Sequence, residues 1–403
     1  MSRPLEGIRV LEWGIFHAGP GGPAILADMG AEVIKIEQVG VGDPIRHMSG
    51  YKNIDFSLGE DSNMFFEGSN RGKKSITLNL EHKEGRQIAY DLVKKSDVFF
   101  TNLRVNTIEK MKMDYPTLSK INPNIIYASV TSYGTQGPDA DQGGFDFQGQ
   151  ARAGLMHSIG EPDMTPLLAQ FGIADQATAI MASYQVIIAL LIRERTGIGQ
   201  KVDISLLGTV SYLMYFNNLV ALLSGIDVPR HEQANADPLR NYYRCKDDKW
   251  LILTDNPRFD NWEIICELLD CPELAKDTRF STREGRMEYS REIVAVINNA
   301  FLNRSRDEWL KIFREKKIIM CSVNTSMEAI KDNQMIENKY IVDYDHPTMG
   351  KIKIPGFPIG FSESKINNNL SAPKLGEHTE MILSEISGLS KEEISRLKSE
   401  NII

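Results

Sequence analysis

Within the first 37 residues, GIRVLEW, GIFHAGPGGP, AILADMG and AEVIKIE follow one another. They read as a buried strand, a glycine- and proline-rich loop, a short helix and a second buried strand. Two strands joined through a helix pair in parallel, so this stretch predicts a βαβ unit. The alternation continues, with KSITLNL as a strand, KEGRQIAYDLVKKS as a helix, DVFFTNL as a strand, YPTLSKINP as a helix and IIYASVTSY as a strand. Elements in this order predict an α/β fold: a Rossmann-like large domain with a parallel sheet, whose ligand loops leave the C-terminal ends of the strands.

The strongest helical periodicity follows Asp175. Ala177, Ile180, Met181, Tyr184, Ile188, Leu191 and Ile192 recur at helical spacing, and TGIGQ ends the run. KVDISLL is another strand, and a helix from about Val210 to Ser224 leads into the polar stretch RHEQANADPLRN. From Asn241 to about Ile330 the pattern changes to a hairpin, YYRCKDDKWLILT, and amphipathic helices, a smaller α+β domain. The expected organisation is the first part of the large Rossmann-like domain over 1–205, a linker helix and loop over 206–240, the small α+β domain over 241–330, and a return segment over 331–403 that completes the large domain.

Composition narrows the classes. At 42% hydrophobic and 25% charged residues, this is the make-up of a soluble globular chain. The apolar stretches Met181–Ile192 and Val210–Ile226 contain Gln185 and the pair Asn217 and Asn218, and read as buried helices, so no membrane partner is expected. A net charge of −8 offers nucleic acid no global attraction. Cys245, Cys266, Cys271 and Cys321 lack metal-ligand spacing, and MSRPLEG lacks a signal peptide's apolar core; a reduced, cytoplasmic protein is expected. None of the seven histidines stands at i, i+4 beside a Glu, so no metal site is expected.

The HAGPGGP loop is either a structural turn or an anion cradle; its Gly19, Gly21 and Gly22 do not fit G-x-G-x-x-G. Arg46 in GDPIR, Arg71, Lys73 and Lys74 in NRGKKS, and Arg104 in TNLRVN lie at or near strand ends, where phosphates favour such residues. Asp175, in LLAQFGIADQATAIMASYQ, has two readings. As a helix N-cap it would accept from the N–H of Ala177 or Thr178, contributing about 1 kcal/mol. As a nucleophile it would use a helix N-terminus that keeps a carboxylate ionised and offers N–H donors to an oxyanion.

Taken together, PLEGIRVLEWGIFHAGPGGPAILADMGAEVIKIE, GDPIR, NRGKKSITLNL, DVFFTNLR, INPNIIYASVTSYGTQGP, GFDFQGQARAGLM, ADQATA, RERTGIGQKVDISLL and LGEHTEMIL resemble the class III CoA-transferases, in that family's order and almost from end to end. The family includes the formyl-CoA, carnitine and bile-acid CoA-transferases. The resemblance implies a CoA-transferase that moves CoA from an acyl-CoA to a free carboxylic acid, without a permanently bound cofactor and with coenzyme A as substrate and product. It implies an interlocked homodimer. It places the nucleophile at Asp175, which forms a mixed anhydride and then an aspartyl-CoA thioester, so that Asp175 would be cap and nucleophile at once. It implies support from His17 and Asp146, and CoA contacts from Ala18, Leu78, Asn79, Asn102, Leu103, Arg104 and Lys110. His17 stands where formyl-CoA transferase has glutamine, and Gln38 where it has a CoA-binding arginine.

Three other functions share parts of this pattern. An α-methylacyl-CoA racemase needs a His where this chain has Phe145, which cannot move a proton. A nicotinamide-dependent oxidoreductase lacks its glycine fingerprint here, and a non-catalytic CoA-binding protein would not need Asp175. The region around LTDNPRFDNW has no glycine run of the kind that covers the site in formyl-CoA transferase, which disfavours oxalate and formate. Tyr242, Tyr243, Trp250 and Phe259 fit either a larger, less polar acid or core packing.

Overall fold

Strands as apolar and as fully buried as VFFT and IYASVT need cover on both faces. The computed structural model, which describes residues 3–58, 62–256, 258–366 and 370–403, meets that need with a six-stranded, wholly parallel sheet. In chain order the elements used below begin with β1 (Arg9–Trp13), α1 (Gly21–Asp28), β2 (Glu32–Glu37), α2 (Met64–Asn70), β3 (Lys73–Thr77), α3 (Lys83–Lys94) and β4 (Val98–Thr101). They continue with α4 (Tyr115–Ile121), β5 (Ile126–Thr131), α5 (Asp146–Arg152), α6 (Ile173–Thr196) and β6 (Lys201–Ser205). The strand order is β3-β2-β1-β4-β5-β6. The winding reverses between β1 and β4, and in such sheets the crevice for ligands opens there, beyond the strand C-termini.

Neighbouring residues on one strand serve opposite faces. Leu11, Ile34, Phe99 and Tyr127 pack with Ile88 and Leu92 of α3 and with Ile382 and Leu397 near the C-terminus. Val10, Val33, Phe100 and Ala128 pack with Leu26 of α1 and with Ala179, Ala182 and Val186 of α6. The approach of α1 to α6 is very close: a Cβ on Gly21 would lie 2.7 Å from the Ala179 Cβ, and one on Gly22 3.1 Å from the Ala182 Cβ.

The residues form two compact units: Met1–Met156, Leu168–Asp227 and Lys339–Ile403 make one, His157–Leu167 and Val228–Asn338 the other. The stretch 206–240 is therefore divided after Asp227, and 331–338 falls in the second unit. The helix expected from Val210 to Ser224 is two helices, α7 (Leu206–Leu213) and α8 (Tyr215–Ser224), bent by 76° across Met214. The second unit contains β7 (Arg240–Arg244), β8 (Trp250–Thr254), α9 (Trp262–Leu268), α10 (Ser290–Phe301), α11 (Arg306–Glu315) and β9 (Met320–Val323). Its antiparallel sheet has the order β9-β8-β7, over a core that includes Tyr243, Phe301, Trp309 and Phe313. Tyr243 is thus a core residue, its ring stacked on Phe301. The chain then returns to the first unit through an antiparallel hairpin, β10 (Ile341–His346) and β11 (Gly350–Pro355), and two helices, α12 (Thr379–Glu385) and α13 (Lys391–Ser399).

Beneath the crevice lies an ionic network with almost no exposure. Glu12 on β1 is in register with Lys35 on β2. Lys35 Nζ lies 2.9 Å from Glu12 Oε1, 3.0 Å from Asp43 Oδ2 and 2.8 Å from the Gly14 carbonyl. Lys73 Nζ lies 2.6 Å from Glu12 Oε2 and donates to the Pro20 carbonyl and Asn70 Oδ1 at 2.8 and 2.9 Å. Arg46 holds both oxygens of Glu37, at 2.8 and 2.7 Å. Burial penalises every one of these charges, yet Glu12 and Asp43 together raise the Lys35 ammonium above its ordinary value. Burial also opposes ionisation of Glu37, but Arg46 and Lys35 outweigh it and bring that carboxyl down to about 2. Three acids and three bases enclosed together are tolerable because each is paired and further hydrogen bonded.

Lys35→Met leaves Glu12 and Asp43 short of a cation inside the protein. The expected loss is about 3–5 kcal/mol of unfolding free energy, read from urea or guanidinium titrations.

Candidate active site

The loops leaving β1, β4 and β5 converge at the crevice. After β1 the chain runs through Phe16, held at φ 62°, to His17, Ala18 and Gly19 before α1 begins. Asn102, just past β4, accepts from the N–H of Ile15 at 2.9 Å and donates to its carbonyl at 2.8 Å, fixing this loop. Asp43 adds a further anchor, accepting from the Phe16 N–H at 3.0 Å.

Asp175 lies in the first turn of α6, but the N-cap is Gly172, at φ 78°. The expectation that Asp175 caps its own helix is therefore corrected. The capping oxygen comes from Asp146, the first residue of α5: its Oδ1 accepts from the N–H of Ala174 at 2.6 Å and of Asp175 at 3.0 Å. Gln150, one turn further along α5, donates to Asp146 Oδ2 at 2.6 Å and bonds both backbone groups of Ala169. A second correction follows. The N–H groups of Ala174 and Asp175 are committed to Asp146, and that of Gln176 to the Gly172 carbonyl at 2.8 Å, so these helix amides are not open to an oxyanion.

Among the described residues, no hydrogen bond or ion pair ends on the side-chain oxygens of Asp175. Burial, and then the charge of Asp146, push its carboxyl up to about 7. His17 meets the same turn from the other side. Its Nε2 lies 2.7 Å from Gln176 Oε1 and its Nδ1 2.7 Å from the Ser69 hydroxyl on α2. An amide oxygen only accepts, so Nε2 carries the proton and Nδ1 accepts from Ser69. Burial, helped by the charges of Arg71 and Lys73, lowers the imidazole below its ordinary value, keeping it neutral.

Of the residues singled out from sequence, His17, Asp146 and Asp175 are brought together. Arg104 joins the neighbourhood of α5: a Cβ on Gly143 would collide with its guanidinium. Arg104 and Lys110 are exposed, while Ala18 and Leu103 line the same post-strand loops. The others are placed differently. Lys73 and Arg46 are enclosed by Glu12 and Glu37, and Arg71 pairs with Asp28 at 2.5 Å, so none of the three presents a free cation to a phosphate in this arrangement. Leu78 is in the core, Asn79 donates its N–H to the Ile402 carbonyl, and Asn102 braces backbone. Sequence reasoning missed Ser69, Gln150 and Gln176. Gln176 stood beside Asp175 as a polar residue on a small, apolar run; Ser69 lies 52 positions from its partner and gave no local signal. Among the described residues, no group of three or more His, Cys, Asp or Glu is placed to hold a metal ion.

A model of the family described as CoA-transferase family III matches residues 5–379. An acyl-CoA transferase of Fusarium pseudograminearum (strain CS3096) is 34% identical, the match covering 99% of this chain and 88% of that one. Succinyl-CoA:glutarate CoA-transferase of Mus musculus is 31% identical over 100% of this chain and 90% of its own. The crystal structure of a CaiB/BaiF family protein from Brucella suis superposes with a TM-score of 0.86 at 31% identity, covering 96% of this chain and all of that one.

Two outcomes are expected at Asp175. By carbon-13 NMR its carboxyl should titrate near pH 7, and Asp146→Asn should move that midpoint downward, because a neighbouring negative charge is removed. The folded protein holds this proton up to about pH 7 whereas the unfolded chain releases it near 3.8, so stability falls as pH rises across that interval. In denaturant titrations Asp175→Asn should abolish that share of the decline.

Proposed function

The chain belongs to CoA-transferase family III and is a class III CoA-transferase working on CoA thioesters, and from that premise we propose that the exchange runs covalently through Asp175. The observation that carries the proposal is a carboxyl in the crevice with no bond on its oxygens, beside a neutral imidazole. The ionised carboxylate attacks the thioester carbonyl of the acyl-CoA donor, and CoA thiolate leaves, giving a mixed anhydride. The thiolate then attacks the aspartyl carbonyl of the anhydride. Donor acid departs as carboxylate and an aspartyl-CoA thioester remains. The incoming acid's carboxylate attacks that carbonyl and expels thiolate, which takes up the new acyl group and frees Asp175. Every step exchanges one carboxylate or thiolate for another, so the sum is close to isoenergetic and no nucleotide is consumed.

The oxyanions formed on the way need donors that the α6 amides cannot supply. His17 fits that role once its Nε2–H turns from Gln176 Oε1 to the forming oxyanion, since a neutral imidazole donates a hydrogen bond without competing for the proton of Asp175. Asp146 positions Asp175 by holding its backbone, and Gln176 Oε1 fixes the imidazole tautomer while Ser69 holds the other ring nitrogen. Ala18, Leu103, Arg104 and Lys110 stand where CoA would pass along the β1 and β4 loops, the two exposed cations suiting its phosphates. The proposal extends to a homodimer in the cytoplasm, where the four unpaired cysteines stay reduced. The dimer is supported by apolar helix faces left open in one chain: Ile180, Tyr184 and Leu191 on α6, and Phe216 and Leu222 on α8, at 77% and 82% exposure.

Mass spectrometry after incubation with acyl-CoA donors should show CoA on the peptide containing Asp175, cleaved by hydroxylamine and absent in Asp175→Ala. Loss of Asp175 should lower turnover by about 10⁴-fold or more; full turnover by Asp175→Ala would overturn the covalent route. In sedimentation, the wild type should run as a dimer and Phe216→Glu/Leu222→Glu as a monomer; a monomeric wild type, or one that floats with lipid vesicles, would refute the dimer.

A further inference from the structure

Three phenylalanines are chain neighbours of the residues that hold Asp175. Phe16 precedes His17, Phe145 precedes Asp146, and Phe171 precedes the N-cap Gly172. The ring of Phe16 meets that of Phe145 edge-on at 5.8 Å. The ring of Phe171 gathers Tyr51, Phe56 and Phe65 at 5.9, 6.5 and 6.2 Å. Phe16 and Phe171 both sit in the left-handed region, at φ 62° and 61°. Bulky residues adopt that conformation only under strain, and such strain collects where a ligand is held. These rings are also not packed away: Phe145 is 62% exposed and Phe171 54%. A fold stabilised by these rings would bury them; here they are left exposed on the segments that carry Asp146 and Asp175.

The charge around them points the same way. Arg71 and Lys73, the cations whose field reaches His17, are bound to Asp28 and Glu12, and Asp146 adds negative charge. Next to Asp146 a second carboxylate on the acid would meet like charge, and the exposed cation of that neighbourhood, Arg104 beside Gly143, is the one assigned above to the phosphates of CoA.

Resting on the transferase reading above, we propose that the acid exchanged at Asp175 carries an apolar aryl or branched-alkyl side chain, seated on the open rings of Phe145 and Phe171. Offset or edge contacts to a phenyl group, with the apolar area they take from water, give such acids their advantage over short dicarboxylates.

The test measures kcat/KM with one acyl-CoA donor and four acceptors: 3-phenylpropanoate, 4-methylpentanoate, succinate and glutarate. The expected result is about a tenfold or greater preference for the two apolar acids, corresponding to about 1.4 kcal/mol. Phe145→Ala should collapse that ratio and Phe145→Leu should restore part of it; Phe171→Gly, which suits the backbone conformation, should lower it without loss of folding. Equal or better use of the dicarboxylates overturns the inference, as does a ratio unchanged in the alanine and glycine variants. A variant that becomes monomeric while keeping the wild-type ratio assigns the rings to a subunit contact and also overturns it. Failure of the transferase reading looks different: no CoA adduct forms on Asp175 with any donor.

Discussion

The contact on which the crevice depends is the shared hold of Lys35 and Lys73 on Glu12. Each ammonium also takes a backbone carbonyl from one end of the His17 loop, Gly14 for Lys35 and Pro20 for Lys73. Asp43, bound to Lys35, takes the Phe16 N–H between them. A loop carrying a strained phenylalanine and the His17 imidazole is thereby pinned at start, middle and finish by groups that water does not reach. Replacing these ions with apolar residues of similar volume would remove the charge without loss of packing, but would leave three backbone polar groups unsatisfied. The network is better understood as a jig for the loop than as a source of net stability.

What local pattern controls was legible in the sequence. Strand runs such as RVLEW and EVIKIE, the glycine-ended helix after Asp175 and the shift to antiparallel pairing at YYRCKDDKWLILT depend on neighbours a few residues away. The parallel sheet and the smaller α+β unit both follow from them. The misreadings share a cause, in that the deciding partner is remote. Lys73 and Arg46 look like phosphate ligands until Glu12 and Glu37 arrive from other strands. Asp175 looks like a cap until Asp146 reaches in from 29 residues away to take that role. The bend at Met214 has no glycine or proline to announce it, and Asn218 spans it by donating to the carbonyl and hydroxyl oxygens of Ser211.

The site is assembled from three strand ends and two helix starts, and the parts differ in how much they can vary. The contact of α1 with α6 at Gly21 and Gly22 leaves no room for a side chain, so the spacing between the His17 loop and the Asp175 turn is set by backbone. The aromatic rings around that turn are attached to the same backbone but face outward. Under the proposed reading, specificity changes by substitution of rings while the backbone spacing of the His17 loop and the Asp175 turn is preserved.

The proximity of Asp146 to Asp175 has one further consequence. In the resting protein burial, and then the charge of Asp146, make the Asp175 carboxyl hold its proton up to about pH 7, and its ionisation sets two like charges side by side. Under the proposed covalent route, the first bond made to Asp175 converts it to a neutral anhydride or thioester and ends that repulsion. The strained member of the cycle is then the empty enzyme, and each acylated state lies on the relaxed side of it. Release of the final product must re-form the two adjacent anions, so the repulsion that favours loading opposes unloading by the same amount. Such a protein idles most comfortably with its passenger aboard.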